Sequence, residues 1–258
     1  MTIDEIKTKI HGIIGREIHF FETASSTNTI ALEFAEKALE GTVFLADCQD
    51  KGRGRLGRIW ISPSGVNIYM SIILRPQIRP KDSSLITLMS AVACATALRN
   101  VTGVKVTTKW PNDLMIDNKK VGGILTELKT KQQKITSAIV GIGINVNVDV
   151  REFPKDMKQK ATSLKNESGI SYAREPIVAE ILNEMDRWYK TMKTLEKEVI
   201  IQAWKNLTST LGRKVVVITP QETLTGTAET IDNDGMLILR LPSGKSKRIN
   251  SGDLKILQ

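Results

Sequence analysis

The sequence predicts an α+β protein: an α/β body on a mixed β-sheet flanked by helices, followed by a small all-β domain. Three observations predict it. Up to about residue 206, runs with helical period alternate with short β-branched runs. After Gly212 the texture changes to short strand-like runs split by turns such as DNDG and PSG, the pattern of a compact barrel. The 258 residues, 41% apolar and 25% charged, have the balance of a globular chain large enough to bury a core without staples. The boundary falls near residue 211, giving domains over 1–211 and 212–258.

Each element follows from local pattern. Ile3, Ile6 and Ile10 stand at helical spacing and predict one short amphipathic helix. A helical run over 29–40 follows SSTN, with Ser and Thr before it and Gly41 after it as caps. TVFLADC (42–48) and NIYMSIIL (67–74) predict buried strands, the second stopped by Pro76 and Pro80. Residues 82–100 form an apolar, Ala-rich helix suited to packing on a sheet. VKVTTKW (104–110), LMID and KVGGILTEL (120–128) predict three close strands, broken at Pro111 and turned at Asn118, and ITSAIVGIGINV (135–146) a fourth. Residues 149–171 are polar and irregular, and 173–206 have helical periodicity with Trp188 and Trp204 as core anchors.

Composition narrows the function classes. Thirty-seven basic against 28 acidic residues give +9, a field that favours nucleotides, nucleic acid or an acidic protein. No apolar stretch is read as approaching the ~20 residues of a membrane span, and MTIDEIKTKIHG lacks a signal-peptide core, so a cytoplasmic protein away from membranes is expected. Cys48 and Cys94 are too few for a disulfide framework or a four-ligand zinc site, and the sequons at Asn166 and Asn206 carry little weight. Three familiar patterns fail: GKS at 244–246 has Leu239 where a phosphate loop needs glycine, GIGINV has Val146 in place of a third dinucleotide-fold glycine, and DNDG lacks calcium-loop spacing.

The most informative run is Gln49-Asp50-Lys51-Gly52-Arg53-Gly54-Arg55-Leu56-Gly57-Arg58-Ile59-Trp60. Glycine lets the backbone approach a ligand closely, arginine offers fixed forks to carboxylate or phosphate, and an indole covers an apolar or aromatic group. On residue types alone the run equally fits a solvated basic loop or a contact for single-stranded nucleic acid. Lys109-Trp110-Pro111-Asn112-Asp113 sets a cation and a carboxamide beside a proline-fixed turn, and by itself is also a plain hairpin connection. Gly122-Gly123 after Lys120, and Gly141 and Gly143 before Asn145, put glycine inside good strands, which weakens a sheet unless something approaches the backbone. Two such windows on neighbouring strands predict one shared pocket.

Taken together and in order, SSTN, QDKGRGRLGRIW, KWPNDL, KVGGILTE and GIGINVN resemble biotin protein ligases, also called biotin–[acetyl-CoA-carboxylase] ligases or holocarboxylase synthetases. QETLTGTAETIDNDGMLIL resembles that family's C-terminal SH3-like domain, so the likeness covers nearly the whole chain. The resemblance implies a class II synthetase-like biotin/lipoyl ligase fold and a two-step reaction. Biotin's carboxylate attacks the α-phosphorus of ATP, with Mg²⁺ as helper, and a lysine of a biotin carboxyl carrier protein then takes biotin from biotinyl-5′-AMP. It implies that Ser26, Thr27 and Asn28 face the ureido ring, that Gln49 and Gly52 flank the ring and its tail, and that Arg53, Gly54 and Arg55 belong to the biotin-binding loop. Arg55 would bridge the biotin carboxylate and the α-phosphate, Arg58 would meet the phosphates, and Trp60 would cover the nucleotide. Asn112, Lys120 and Asn145 match nucleotide-side positions, Lys120 stabilises the transferring charge, and Gly123 and Gly143 leave room for biotin. No protein ligand to a metal is assigned.

Two positions depart from the family pattern. Ser25 stands where many members carry an acidic residue, and Leu56 where some carry a further arginine. There is no room before residue 20 for a DNA-binding module, so a ligase without operator binding is expected. Members are often dimers, and a homodimer is an open expectation. The tail is expected either to stabilise the chain passively or to serve carrier docking or ATP binding. Two rival readings stay open: a lipoate or octanoate ligase of the same fold, and a basic nucleic-acid-binding protein. The second leaves the glycine windows and KWPND unexplained, and aromatics at 5% offer few stacking platforms.

Overall fold

The structure, a computed structural model, describes residues 1–194 and 196–257. In chain order its elements are α1 (Ile3–Lys7), β1 (Ile18–Ala24), α2 (Thr27–Phe34), β2 (Val43–Gln49), β3 (Ile68–Leu74), α3 (Ser84–Thr102), β4 (Thr107–Lys109), β5 (Asp113–Ile116), β6 (Lys119–Lys131) and β7 (Lys134–Ile144). There follow α4 (Lys155–Lys158), α5 (Leu164–Ser168), α6 (Arg174–Lys193) and α7 (Lys197–Leu207). Last come β8 (Lys214–Ile218), β9 (Thr223–Ile231), β10 (Leu237–Arg240), β11 (Ser246–Ile249) and β12 (Asp253–Ile256).

Seven strands form one sheet in the order β1-β2-β3-β7-β6-β5-β4. Among the described residues, only strands β1 and β2 pair in parallel, joined by α2 as a crossover; the other strand pairs of this sheet are antiparallel, so it is mixed. Helices α3, α6 and α7 pack on one face, and α2 covers the other through Ala31 and Ala35 against Phe44, Ile73 and Ile139. The tail forms a separate antiparallel sheet, β11-β10-β9-β8-β12. Its inner residues Val215, Val217, Leu237, Leu239 and Leu254 join the same continuous core as the first sheet. Across this seam, Trp110 donates through its backbone N–H to Thr210 Oγ1 at 3.0 Å and through its indole to the Gly235 carbonyl at 3.3 Å.

Five features differ from the sequence reading. β1 has no counterpart in it: at a sheet edge, its partly buried, non-alternating pattern gives a weak period-two signal. α2 starts two residues earlier and ends at Phe34, where Arg75 takes up the Ala35 and Ala38 carbonyls at 2.8 Å each. The 173–206 run is two helices, α6 and α7, and 149–171 contains the short α4 and α5. The segment Pro80–Thr102 is long and apolar enough to cross a membrane by length and composition, contrary to the expectation that no stretch would be. It is apolar all round because α3 is enclosed by the sheet, α6 and α7.

Candidate active site

The N-terminus of α2 builds one wall. Ser26 is its cap residue, in extended backbone and making no side-chain capping bond, and Ser26, Thr27 and Asn28 are all buried. Gln49 at the end of β2 accepts from the Thr27 backbone N–H at 2.9 Å and donates from Nε2 to Ser62 Oγ at 2.9 Å. Asn28 is held from three sides. Ser71 donates to its Oδ1 at 2.6 Å, and its Nδ2 donates to the Leu125 carbonyl at 3.2 Å and to Glu127 Oε2 at 2.8 Å. Arg53 reaches the same Glu127 oxygen at 2.7 Å, which ties the arginine–glycine loop to β6.

The loop itself is a tight hairpin. Arg53 bridges Ile59, Gly54 N–H donates to the Arg58 carbonyl at 2.7 Å, and Trp60 N–H donates to the Gly52 carbonyl at 2.9 Å. A Cβ on Gly52 would lie 2.3 Å from the Trp60 carbonyl oxygen, so only glycine fits there. The hairpin folds Trp60 onto the glycine windows: a Cβ on Gly143 would lie 2.7 Å from the indole, and one on Gly141 would lie 2.2 Å from Asn28 Oδ1. A Cβ on Gly123 would meet the Lys120 ammonium at 3.2 Å. The glycines thus make room for Asn28, Trp60 and Lys120. The Trp60 Nε1–H is buried and has no partner among the described residues.

Cations converge at the opposite wall. Lys120 and Lys109 place their ammonium groups on the two oxygens of Asp113, at 2.6 and 3.2 Å, and Lys120 lies 5.4 Å from the centroid of the Trp60 ring. Burial pushes the Asp113 carboxyl up, but the two lysines outweigh it and hold the group below the usual aspartate range. Arg55 donates to Asn112 Oδ1 at 3.1 Å, while Asn112 Nδ2 donates to the Ile124 carbonyl at 2.7 Å. Burial lowers the Arg55 pKa, opposed by the charges of Asp253 and Asp113. Arg58 is ion-paired with Asp253 of the C-terminal sheet. The Trp110–Pro111 peptide that turns this segment is cis.

One cavity of about 850 Å³ joins both walls. Of the residues singled out by sequence, it brings together Ser26, Thr27, Asn28, Gln49, Arg53, Gly54, Arg55, Arg58, Trp60, Asn112, Lys120, Gly123 and Gly143. Two do not line it. Gly52 serves the hairpin as backbone. Asn145, expected on the nucleotide side, is buried below the cavity and donates from Nδ2 to the Thr162 carbonyl at 3.0 Å, pinning the 162–164 segment. Sequence reasoning missed Asp113, Glu127 and Ser71, although Asp113 and Glu127 end the KWPND and KVGGILTE runs it had singled out. It also missed Lys160, and Arg213, Asp253 and Lys255 of the C-terminal part, which line the cavity without any motif to mark them.

With this geometry the chain can hold a neutral, hydrogen-bonding group at one end and two anions at the other. The sequence profile of the biotin/lipoate A/B protein ligase family matches residues 20–145, and that of the biotin protein ligase C-terminal domain matches residues 210–254. The bifunctional ligase/repressor BirA of Bacillus subtilis is 36% identical over 245 residues, covering 95% of this chain and 75% of that protein. The biotin–[acetyl-CoA-carboxylase] ligase of Paracoccus denitrificans is 30% identical over 223 residues, covering 85% and 92%. The structure of the Aquifex aeolicus biotin protein ligase in complex with biotin and ATP superposes with a TM-score of 0.81 at 29% identity, covering 94% of this chain and 99% of that one. The chain belongs to the biotin protein ligase family.

Proposed function

We propose that the chain is an ATP-dependent biotin protein ligase. It joins the carboxylate of biotin to the α-phosphorus of ATP, giving biotinyl-5′-AMP and pyrophosphate, and passes biotin to a lysine amine of a carboxylase's biotin carboxyl carrier domain. The observation that carries this reading is the convergence of Arg55, Arg58, Lys109 and Lys120 on one cavity whose far end is neutral and hydrogen-bonding.

Each residue has a physical part in it. The Ser26 hydroxyl, free of capping duty, and the held amide of Asn28 suit the ureido ring, while the Trp60 indole, which fills the space over Gly143, presents an apolar face to the cavity. Two anions must meet in the first step, and Arg55 is placed to bridge carboxylate and α-phosphate. Lys120 offsets the charge that develops on the transferring oxygens. Arg58 turns to the phosphates when it leaves Asp253. No side chain forms a covalent intermediate, so rate comes from positioning and electrostatics. The two carboxylates nearest the cationic wall, Asp113 and Asp253, are each engaged by lysine or arginine, and no cluster of three metal-ligating side chains occurs among the described residues. Mg²⁺ therefore fits as part of MgATP, carried on phosphate oxygens and water. Residues 212–258, taken as a C-terminal domain following a catalytic one over 1–211, bring Arg213 and Lys255 to the cavity and complete its nucleotide end.

Pyrophosphate release with biotin, lipoate and octanoate in turn, with mass spectrometry of the acyl adenylate retained, tests the reading. Biotin alone is expected to support release. Activity with lipoate and none with biotin would replace this substrate with the other.

A further inference from the structure

A second cavity, of about 160 Å³, lies at the seam between the two sheets. Thr87 and Leu88 of α3 and Thr126 of β6 wall it, Asn250 stands exposed at its outer end, and Arg55 and Asn112 close its inner end. Arg55 and Asn112 line the main cavity as well, so the two spaces are neighbours divided there by the 3.1 Å hydrogen bond between these side chains, which parts to join them. We propose that this is the passage by which the acceptor lysine side chain reaches the acyl adenylate, while biotin and nucleotide fill the main cavity. The proposal rests on the ligase reading.

Position, size and chemistry support this occupant. Arg55 is the residue placed beside the reacting carboxyl, so a group arriving on its other side meets the acyl carbon without crossing the nucleotide. By the same volume measure one water needs about 10–15 Å³; the passage, at about 160 Å³, admits an extended four-carbon stem and its nitrogen. Leu88, Trp110 and Ile124 offer that stem apolar surface, and the Thr87 and Thr126 hydroxyls, 2.8 Å apart, offer the amine hydrogen bonds. Among the described residues no carboxylate lines the passage, and a guanidinium stands at its end, a setting that disfavours ammonium and favours the neutral amine. Pyrophosphate is a poorer occupant, since among the described residues Arg55 is the one cation there while Arg58, Lys160, Arg213 and Lys255 line the main cavity. In the step itself the amine lone pair forms the C–N bond. The acyl C–O bond to phosphate breaks, AMP leaves with that electron pair, and the amine's extra proton passes to water.

The test fills the passage, by Thr87→Leu from within and by Asn250→Trp at the exposed rim, where folding is not at stake. The two half-reactions are then measured separately, using a biotin carboxyl carrier domain and n-butylamine as acceptors. Adenylate formation should stay within about twofold of wild type, while transfer to carrier and to n-butylamine both slow by about tenfold or more. Unchanged transfer overturns the proposal. So does slowed transfer to carrier with unchanged n-butylamine aminolysis, which assigns the rim to surface docking. Slowed adenylate formation with normal transfer from supplied biotinyl-5′-AMP also overturns it, and assigns the passage to pyrophosphate. A wild-type protein that makes no adenylate from biotin fails the ligase reading instead, and is distinguished at the first step.

Discussion

Replacing Asp113 by asparagine removes one negative charge from between two ammonium groups. Lys120 and Lys109 sit 2.6 and 3.2 Å from its two oxygens, with Asp113 and Lys109 side chains 16% and 18% exposed and Lys120 33% exposed. Breaking a buried pair by removing one partner costs about 3–5 kcal/mol, because a charge is left uncompensated. Lys120 can turn partly to water, which screens its share, so about 2–3 kcal/mol is expected for Asp113→Asn. The asparagine still accepts one hydrogen bond and keeps the volume, so the loss is electrostatic rather than a cavity. The same change untethers Lys120 from its place above Trp60 and beside Gly123, and adenylate formation should fall about 10–100-fold with a smaller effect on KM for biotin. Denaturant unfolding and biotin-dependent pyrophosphate exchange measure the two effects. Asp113→Asn with wild-type stability and wild-type exchange would show that Asp113 neither balances nor places the two lysines, and a cycle with Lys120→Met should recover most of the stability loss if the uncompensated ammonium is its cause.

Three further outcomes are expected. The Asp113 carboxyl titrates below its usual value, so its stabilisation is fully present above the unfolded aspartate pKa near 3.9 and lost as pH falls through the lower folded value. The Tm gap between wild type and Asp113→Asn should therefore hold above about pH 5 and narrow steadily as pH falls below the unfolded value, and a gap that widens or stays constant on acidification would contradict it. Gly141→Ala forces a Cβ to within 2.2 Å of Asn28 Oδ1, so Asn28 must give up its place; a loss of about 1–3 kcal/mol and weaker biotin binding by titration calorimetry are expected. Asp253→Asn frees the largely solvent-exposed Arg58 and removes a negative charge from the proposed phosphate side of the cavity, so stability should change by less than about 1 kcal/mol while KM for ATP falls about threefold. A rise in KM would make Asp253 a holder of Arg58 rather than its competitor.

Much of the site was legible because its residues fall in short local runs. The arginine–glycine hairpin closes on itself within twelve residues, and its glycines are demanded by contacts inside the run, such as Gly52 under the Trp60 carbonyl. The paired windows on β6 and β7 showed as glycines where strands disfavour them, and the structure supplies the reason in Asn28, Trp60 and Lys120. What was illegible depends on partners far apart in sequence. Glu127 reads as an ordinary exposed strand residue until Asn28 and Arg53, 99 and 74 positions away, are brought to it. Asp253, 195 positions from Arg58, sits in a tail whose pattern speaks only of strands. Asn145 departs from expectation for the opposite reason: its motif is local, but in the structure it lies beneath the cavity with its amide donating to the Thr162 carbonyl. At the level of elements, β1 was lost because an edge strand carries weak alternation, whereas the buried β3 was evident from its unbroken apolar run.

In the proposed mechanism Arg55 and Lys120 together bring the two anions to reaction, and the mass of adenylate held by the protein after incubation with biotin and MgATP reads this step. Wild type should retain biotinyl-5′-AMP. Arg55→Ala and Lys120→Ala, assayed well below their own unfolding midpoints, should each form it about 10²–10³-fold more slowly. Adenylate formed at the wild-type rate by either variant would contradict the account.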